Sequence, residues 1–140
     1  MKKITLLFIS IIMLQCSSDK NEDSNSSTNL IGKWTYEKEI FYSSTNVLLG
    51  EIDLSKEECY HLSTSEFKPN NEFIRDSYNY DGKECVRKPV RTYKYSYSDG
   101  TLSIDESETF TVVENTKSVL KLKAINSDNS YTIGEFSKVN

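Results

Sequence analysis

The stretch that decides the fold covers residues 90–104 and reads Val90-Arg91-Thr92-Tyr93-Lys94-Tyr95-Ser96-Tyr97-Ser98-Asp99-Gly100-Thr101-Leu102-Ser103-Ile104. Tyrosines occupy alternate positions before the Ser-Asp-Gly turn, and Leu102 and Ile104 alternate after it. Strand side chains point alternately to the two faces of a sheet, whereas a helix needs apolar residues three and four positions apart. The stretch therefore predicts two antiparallel strands joined by a tight turn, with Tyr93, Tyr95 and Tyr97 on one face.

The same alternation recurs from Leu30 to the end of the chain, and no window of a dozen residues shows helical spacing. The alternating segments cover residues 34–42, 47–52, 62–67, 72–80, 90–97, 101–104, 110–112, 119–125 and 130–139. They predict an all-β domain of eight or nine antiparallel strands in an up-and-down meander. Closure into a barrel would remove exposed edges and is the favoured arrangement; a β-sandwich is the competing one.

The first and last segments carry irregularities. In the first, Lys38 is the exception on a face that otherwise holds Trp34, Tyr36, Ile40 and Tyr42. In the last, the pattern slips by one residue before Phe136, which predicts a β-bulge at Gly134.

The first fifteen residues have the layout of a secretory signal peptide. A positive start with Lys2 and Lys3 precedes an apolar run over residues 4–14, too short for the roughly 20 residues that span a bilayer. Met13-Leu14-Gln15-Cys16 then resembles a bacterial lipobox, in which the cysteine thiol receives a diacylglycerol. The resemblance implies that residues 1–15 are removed and that Cys16 anchors the chain to a membrane; the alternative is an ordinary signal peptide followed by an incidental cysteine.

Composition limits the function of the mature chain. Removal of the signal leaves 125 of the 140 residues, enough for one domain, with 15 basic and 21 acidic side chains and a net charge of −6. An acidic chain without a basic patch argues against nucleic-acid binding. The only alanine is Ala124 and both methionines lie in the signal, whereas tyrosine and phenylalanine are abundant, which again favours strands.

Residues 16–29 are predicted to form a tether between anchor and domain. Residues 17–29 contain no apolar side chain, so they cannot bury enough surface to offset the entropy of ordering. Asp19, Glu22 and Asp23 resemble the surface-export signal of Bacteroidetes lipoproteins. We expect an outer-membrane lipoprotein, with the periplasmic and the surface face both open.

The folded segment, residues 30–140, resembles a known family. Leu30-Ile31-Gly32-Lys33-Trp34 is similar to the opening Gly-x-Trp of lipocalins, and Asn70-Asn71-Glu72-Phe73 and Phe136-Ser137-Lys138-Val139 resemble segments of small lipocalin-like lipoproteins of Bacteroidetes. The resemblance implies a lipocalin-like barrel whose closed end is plugged by Trp34.

Cys59 and Cys85 remain when Cys16 is lipidated, and an even pair in an exported domain is usually bridged. We therefore predict a Cys59–Cys85 disulfide. A redox role is disfavoured because the chain has no Cys-x-x-Cys motif.

No motif in the chain indicates catalysis or a cofactor. His61 is the only histidine and no further free cysteine is available, which argues against a zinc site, and Ser77 and Lys88 occupy positions where a calcium loop requires acidic ligands. Phosphate-binding and nucleotide-binding glycine motifs are missing. We expect a protein that is not an enzyme and has no metal.

The tyrosine-rich strand is the candidate ligand site. Tyr93, Tyr95 and Tyr97 can line a cavity, with Arg91 at the rim for an anionic headgroup, or they can simply fill the core of a small barrel. The sequence therefore predicts a monomeric, lipid-anchored binding protein for a small apolar or amphipathic ligand. The alternative is a non-catalytic interaction or inhibitor lipoprotein that contacts another protein through its barrel rim or exterior.

Overall fold

The structure, a computed structural model, describes residues 27–139. The predicted signal peptide, Cys16 and the first part of the predicted tether lie outside the described residues. The last residues of that tether were predicted to have no regular structure, but Ser27–Leu30 form a short helix, α1, against the barrel. The Asn29 side-chain amide donates to the Asn115 carbonyl at 3.0 Å.

Eleven strands follow α1 in the described chain. They are β1 (Gly32–Tyr42), β2 (Leu48–Asp53), β3 (Thr64–Phe67), β4 (Glu72–Asp76), β5 (Tyr78–Tyr80), β6 (Cys85–Arg87), β7 (Arg91–Ser98), β8 (Thr101–Ile104), β9 (Glu108–Asn115), β10 (Val119–Ile125) and β11 (Tyr131–Lys138). Two single 3₁₀ turns, Leu54–Lys56 and Tyr60–Leu62, lie between β2 and β3. The predicted strand over residues 72–80 is interrupted at Ser77 into β4 and β5.

Eight strands close into an antiparallel barrel. The pairing runs β1-β3-β4-β7-β8-β9-β10-β11, and β11 pairs back with β1. β2 is a ninth strand that pairs with residues 38–42 of β1, while β3 pairs with residues 32–35 of the same strand. β5 and β6 form a separate hairpin. The predicted all-β up-and-down barrel is confirmed, and the alternative β-sandwich is not observed.

A β-bulge in β1 changes which side chains face the interior. Tyr36 pairs with Phe136 and Lys38 pairs with Glu135, so Glu37 is an extra residue in β1. Beyond it Glu39 lies opposite Gly134, which lines the barrel interior, whereas Lys38 pairs with Glu51 at 3.6 Å. The predicted shared face for Trp34, Tyr36, Ile40 and Tyr42 is wrong beyond Tyr36, because an extra residue reverses the alternation of every later residue.

The bulge predicted at Gly134 is absent. β11 pairs with β10 without a register shift from Tyr131 to Ser137. Thr132, Gly134 and Phe136 therefore share the inner face, while Tyr131 and Ile133 face outward. The apparent slip in the sequence arises because a glycine occupies an inward position where an apolar residue is usual.

The core fills the lower half of the barrel, at the end where β1 begins. Trp34 is fully buried there, and its indole Nε1 donates to the Leu30 carbonyl at 2.9 Å. Around it pack buried side chains from the other strands, namely Phe67, Phe73, Tyr95, Leu102, Ile104, Val112, Leu120 and Leu122. This filled floor leaves the space for a site in the upper half.

Candidate functional site

The upper half of the barrel contains a cavity of about 520 Å³ that is partly open to solvent. Its walls combine rings and aliphatic side chains with a small number of charged groups. The wall residues that concern the site are Tyr36, Glu39, Tyr60, Phe73, Arg75, Asp76, Ile104, Phe110, Leu122, Ala124, Thr132, Gly134 and Phe136. A mainly apolar cavity with a few polar groups is the usual form of a small-molecule site.

One wall is a stacked aromatic pair. The rings of Tyr36 and Phe136 lie 4.5 Å apart and are inclined by 13°. The stack packs closely on a glycine, because a Cβ at Gly134 would lie 3.0 Å from the Tyr36 ring. The local sequence thus places two rings flat against the cavity wall.

Below the cavity lies a cluster of rings. Phe67 packs against Phe73 with centroids 4.8 Å apart, and Tyr95 meets Phe67 edge to face at 5.1 Å. The Tyr95 hydroxyl donates to the Lys68 carbonyl at 3.0 Å. This cluster separates the cavity from the Trp34 end of the barrel.

Glu39 brings a carboxylate into the cavity. The Tyr36 hydroxyl lies next to that carboxylate. Burial, together with the nearby negative charge of Glu39, raises the pKa of Tyr36 far above its ordinary value. Tyr36 therefore remains a neutral hydrogen-bond donor at any physiological pH.

The other two charged groups of the wall have partners of opposite charge. Arg75 Nη2 lies 2.9 Å from Glu108 Oε2, and the guanidinium is 5.5 Å from the centre of the Phe73 ring. Asp76 accepts two hydrogen bonds from Arg87, which lower the pKa of its carboxyl group. Both charges are thus occupied within the protein.

A disulfide holds the segment at the cavity mouth. Cys59 and Cys85 are bridged, with their Cα atoms 5.4 Å apart, which confirms the predicted pair. The bond links the segment between β2 and β3 to the β5–β6 hairpin, and Tyr60, beside Cys59, lines the cavity. A second link is the hydrogen bond from the Tyr78 amide to Ser63 Oγ, at 2.9 Å.

The predicted ligand residues are not among the wall residues of the main cavity, although Tyr93 and Arg91 lie opposite the wall residues Phe73 and Arg75 in the sheet. Tyr95 is buried in the ring cluster, and Tyr93 and Tyr97 pack against the core as partly buried side chains. Arg91 pairs with Arg75 across β4 and β7 and is exposed. The expected face is formed, but none of the four belongs to the walls of the main cavity, because β7 carries its tyrosines down into the filled half. Ligand binding by these four residues stays a prediction.

Tyr95 and Tyr97 do line a second, shallower depression of about 330 Å³ near α1. Trp34, the predicted plug, lies fully buried at the closed end, as described above.

Sequence reasoning missed Glu39, Arg75 and the Tyr36–Phe136 stack. Glu39 sits in a run of charged residues that reads as an outer face until the bulge is known. Arg75 follows the inward Phe73 by two positions, which was the available signal that it faces the interior.

Within residues 27–139, no group of three or more His, Cys, Asp or Glu side chains is placed to hold a metal ion. No helix in this part of the chain is both long and apolar enough to cross a membrane.

Comparison with solved structures finds weak likenesses. Japanin from Rhipicephalus appendiculatus bound to cholesterol is 9% identical, with a TM-score of 0.49 over 77% of this chain and 74% of that chain. A deswapped triple mutant of bovine odorant binding protein is 13% identical, with a TM-score of 0.41 over 79% of this chain and 74% of that chain. No protein-family model matches the sequence, and no curated protein matches it. The barrel is therefore defined by its own strand pairing.

Proposed function

We propose that the protein is a lipid-anchored binding protein of the cell envelope that holds a small apolar or amphipathic molecule inside its barrel. The cavity carries the proposal: about 520 Å³ lies within the range of roughly 300–1,000 Å³ usual for small-molecule sites. Its apolar walls would remove a ligand's surface from water, at about 25 cal/mol per Å² buried.

The anchor in this proposal is Cys16, with the polar residues that follow it as the tether. The Cys59–Cys85 disulfide supports export, because disulfides persist in oxidising compartments. The resemblance of the N-terminal residues to a lipoprotein of Bacteroidetes supports the outer membrane as the location.

The experiment compares binding of a neutral, environment-sensitive naphthylamine probe to two tryptophan variants of adjacent β10 residues. Ala124→Trp places an indole inside the cavity, whereas Ile125→Trp places one on the exterior, where Ile125 is 63% exposed. We expect saturable binding by the wild-type domain and by Ile125→Trp, and a loss of affinity of about tenfold or more for Ala124→Trp.

Thermal unfolding of both variants shows whether the domain is intact. Absence of saturable probe binding to the folded wild type contradicts the proposal. So does wild-type affinity in a folded Ala124→Trp variant.

One observation favours a second candidate function, protein interaction through the rim. Val47, Leu48 and Leu49, in the β1–β2 hairpin, are 58%, 56% and 65% exposed, and in the described chain β2 pairs with β1 alone. An apolar edge strand is suited to pairing with a strand of another protein. If the domain binds a partner protein, and Leu49→Lys abolishes that binding while probe binding is unchanged, this function replaces the first.

A further inference from the structure

The charge inside the cavity points to a class of ligand. Among the described wall residues, Arg75 is paired with Glu108 and Asp76 with Arg87. Glu39 lies beside the Tyr36 hydroxyl, and no lysine or arginine of residues 27–139 forms an ion pair with it. The described cavity therefore carries one negative charge that the protein does not neutralise.

Aromatic rings surround this charge. Tyr36 and Phe136 form the adjoining stacked wall, and Tyr60 and Phe110 also line the cavity. Ring faces attract cations through their quadrupole, with an energy of about 0.5–2 kcal/mol. The Phe73 ring is already covered by the Arg75 guanidinium, which shows the same interaction within the protein.

We infer that the ligand is an amphipathic organic cation, with its ammonium group at Glu39 against the Tyr36–Phe136 stack. This inference rests on the proposed function and specifies its ligand. The apolar part of the ligand then lies against Ile104, Phe110 and Leu122.

An anionic or neutral ligand fits these groups less well. An anion would meet the Glu39 carboxylate, and the nearest wall cation, Arg75, is engaged by Glu108. A neutral apolar ligand would remove water from Glu39 without replacing its hydrogen bonds, which costs free energy. Arg91, directly opposite Arg75 in the sheet, is exposed and is not among the wall residues, so solvent and salt screen its charge.

The test uses three ligands with the same unbranched twelve-carbon chain: dodecylamine, dodecanol and dodecanoate, each below its micelle concentration and each competing with the neutral probe. Glu39→Gln removes the charge and keeps the size and polarity of the side chain beside Tyr36. Glu37→Gln, at the bulge, is the matched control, because Glu37 accepts from Ser137 and does not line the cavity.

We expect the wild type to bind the amine about tenfold more tightly than the alcohol, a difference of about 1.4 kcal/mol, and the carboxylate most weakly. The preference should disappear in Glu39→Gln and persist in Glu37→Gln. Equal binding of amine and alcohol, or a preference that survives Glu39→Gln, overturns the inference and leaves the proposed function intact. If neither the probe nor any of the three ligands binds, the proposed function itself fails.

Discussion

At the scale of single residues, the cavity depends on what Gly134 lacks. A Cβ at this inward position would lie 3.0 Å from the nearest carbon of the Tyr36 ring, so the ring would have to move by a few tenths of an ångström. The stack with Phe136 and the position of the Tyr36 hydroxyl beside Glu39 both depend on that ring position. The absence of a Cβ at Gly134 thus leaves room for the Tyr36 ring in the cavity wall.

Gly134→Ala should therefore displace the Tyr36 ring and lower the free energy of unfolding by about 1–3 kcal/mol, the usual cost of overpacking. Gly50→Ala is the control, because a Cβ at Gly50 meets no atom within 4 Å. Urea unfolding of both variants measures the difference. Equal stability of the two would show that the wall adapts to the added methyl group.

Tyr36 also gives the domain a pH dependence in the alkaline range. Its folded-state pKa lies above the ordinary value of 10.0, so above about pH 10 the unfolded chain releases a proton that the folded chain keeps. The free energy of unfolding should then fall as pH rises, with its full value present below about pH 10. Burial raises the pKa of Tyr95 in the same direction.

In Tyr36→Phe the free energy of unfolding should fall less steeply with pH, because the variant lacks the hydroxyl that only the unfolded chain deprotonates in this range. Tyr80→Phe, at an exposed site of the β5–β6 hairpin, should leave the slope unchanged. Unfolding midpoints measured at a series of alkaline pH values test the prediction. An identical slope in the wild type and Tyr36→Phe would contradict it.

At the scale of elements, the bulge in β1 and the disulfide shape the cavity. The bulge turns Glu39 inward, and the Cys59–Cys85 bond holds the segment that carries Tyr60 at the mouth. A loop of 26 residues closed by a disulfide is worth about 3.5 kcal/mol in the chain-entropy model.

Replacement of both cysteines by alanine should therefore lower the free energy of unfolding by about 3.5 kcal/mol. The mouth segment should also loosen, so we expect faster ligand dissociation with a smaller change in the association rate. Denaturant unfolding and stopped-flow probe release measure the two effects. Wild-type release from the variant would show that the mouth is held by other contacts, such as the Tyr78 amide on Ser63.

The barrel strands were predictable from the sequence, whereas the short strand β6 and the interior face of β1 were not. Alternation shows each strand directly, because its period of two belongs to the strand alone. The bulge at Glu37 follows from pairing with β11, about 100 residues away, and no local pattern reports such a partner. The same limit applies to the tyrosines of β7. Their shared face is predictable from the sequence, but their position along the barrel axis depends on how all eight strands pair.

At the scale of the whole molecule, we propose an anchor, a tether and a barrel. The barrel begins at α1, whose last residues are tied to the closed end by the Lys138 ammonium, which donates to the Asn29 carbonyl at 3.1 Å. The chain thus enters the domain at the end opposite the cavity mouth. A membrane anchor at Cys16 would therefore connect to the closed end.

Cys16→Ser should leave the chain without a lipid, because the acyl chains attach through the sulfur. We expect the variant in the soluble fraction or as the uncleaved precursor, while Ser17→Ala, which keeps the thiol, fractionates with membranes. Fractionation and intact-mass measurement test this. Membrane association of Cys16→Ser equal to that of wild type would show that something other than a lipid holds the protein there.

The disulfide at the mouth also has a consequence for timing. Thiols stay reduced in the cytosol and are oxidised after export. Under the proposed export, a newly made chain keeps its mouth segment unbridged until it has left the compartment in which it was synthesised. The disulfide-closed form of the barrel would then exist only after export.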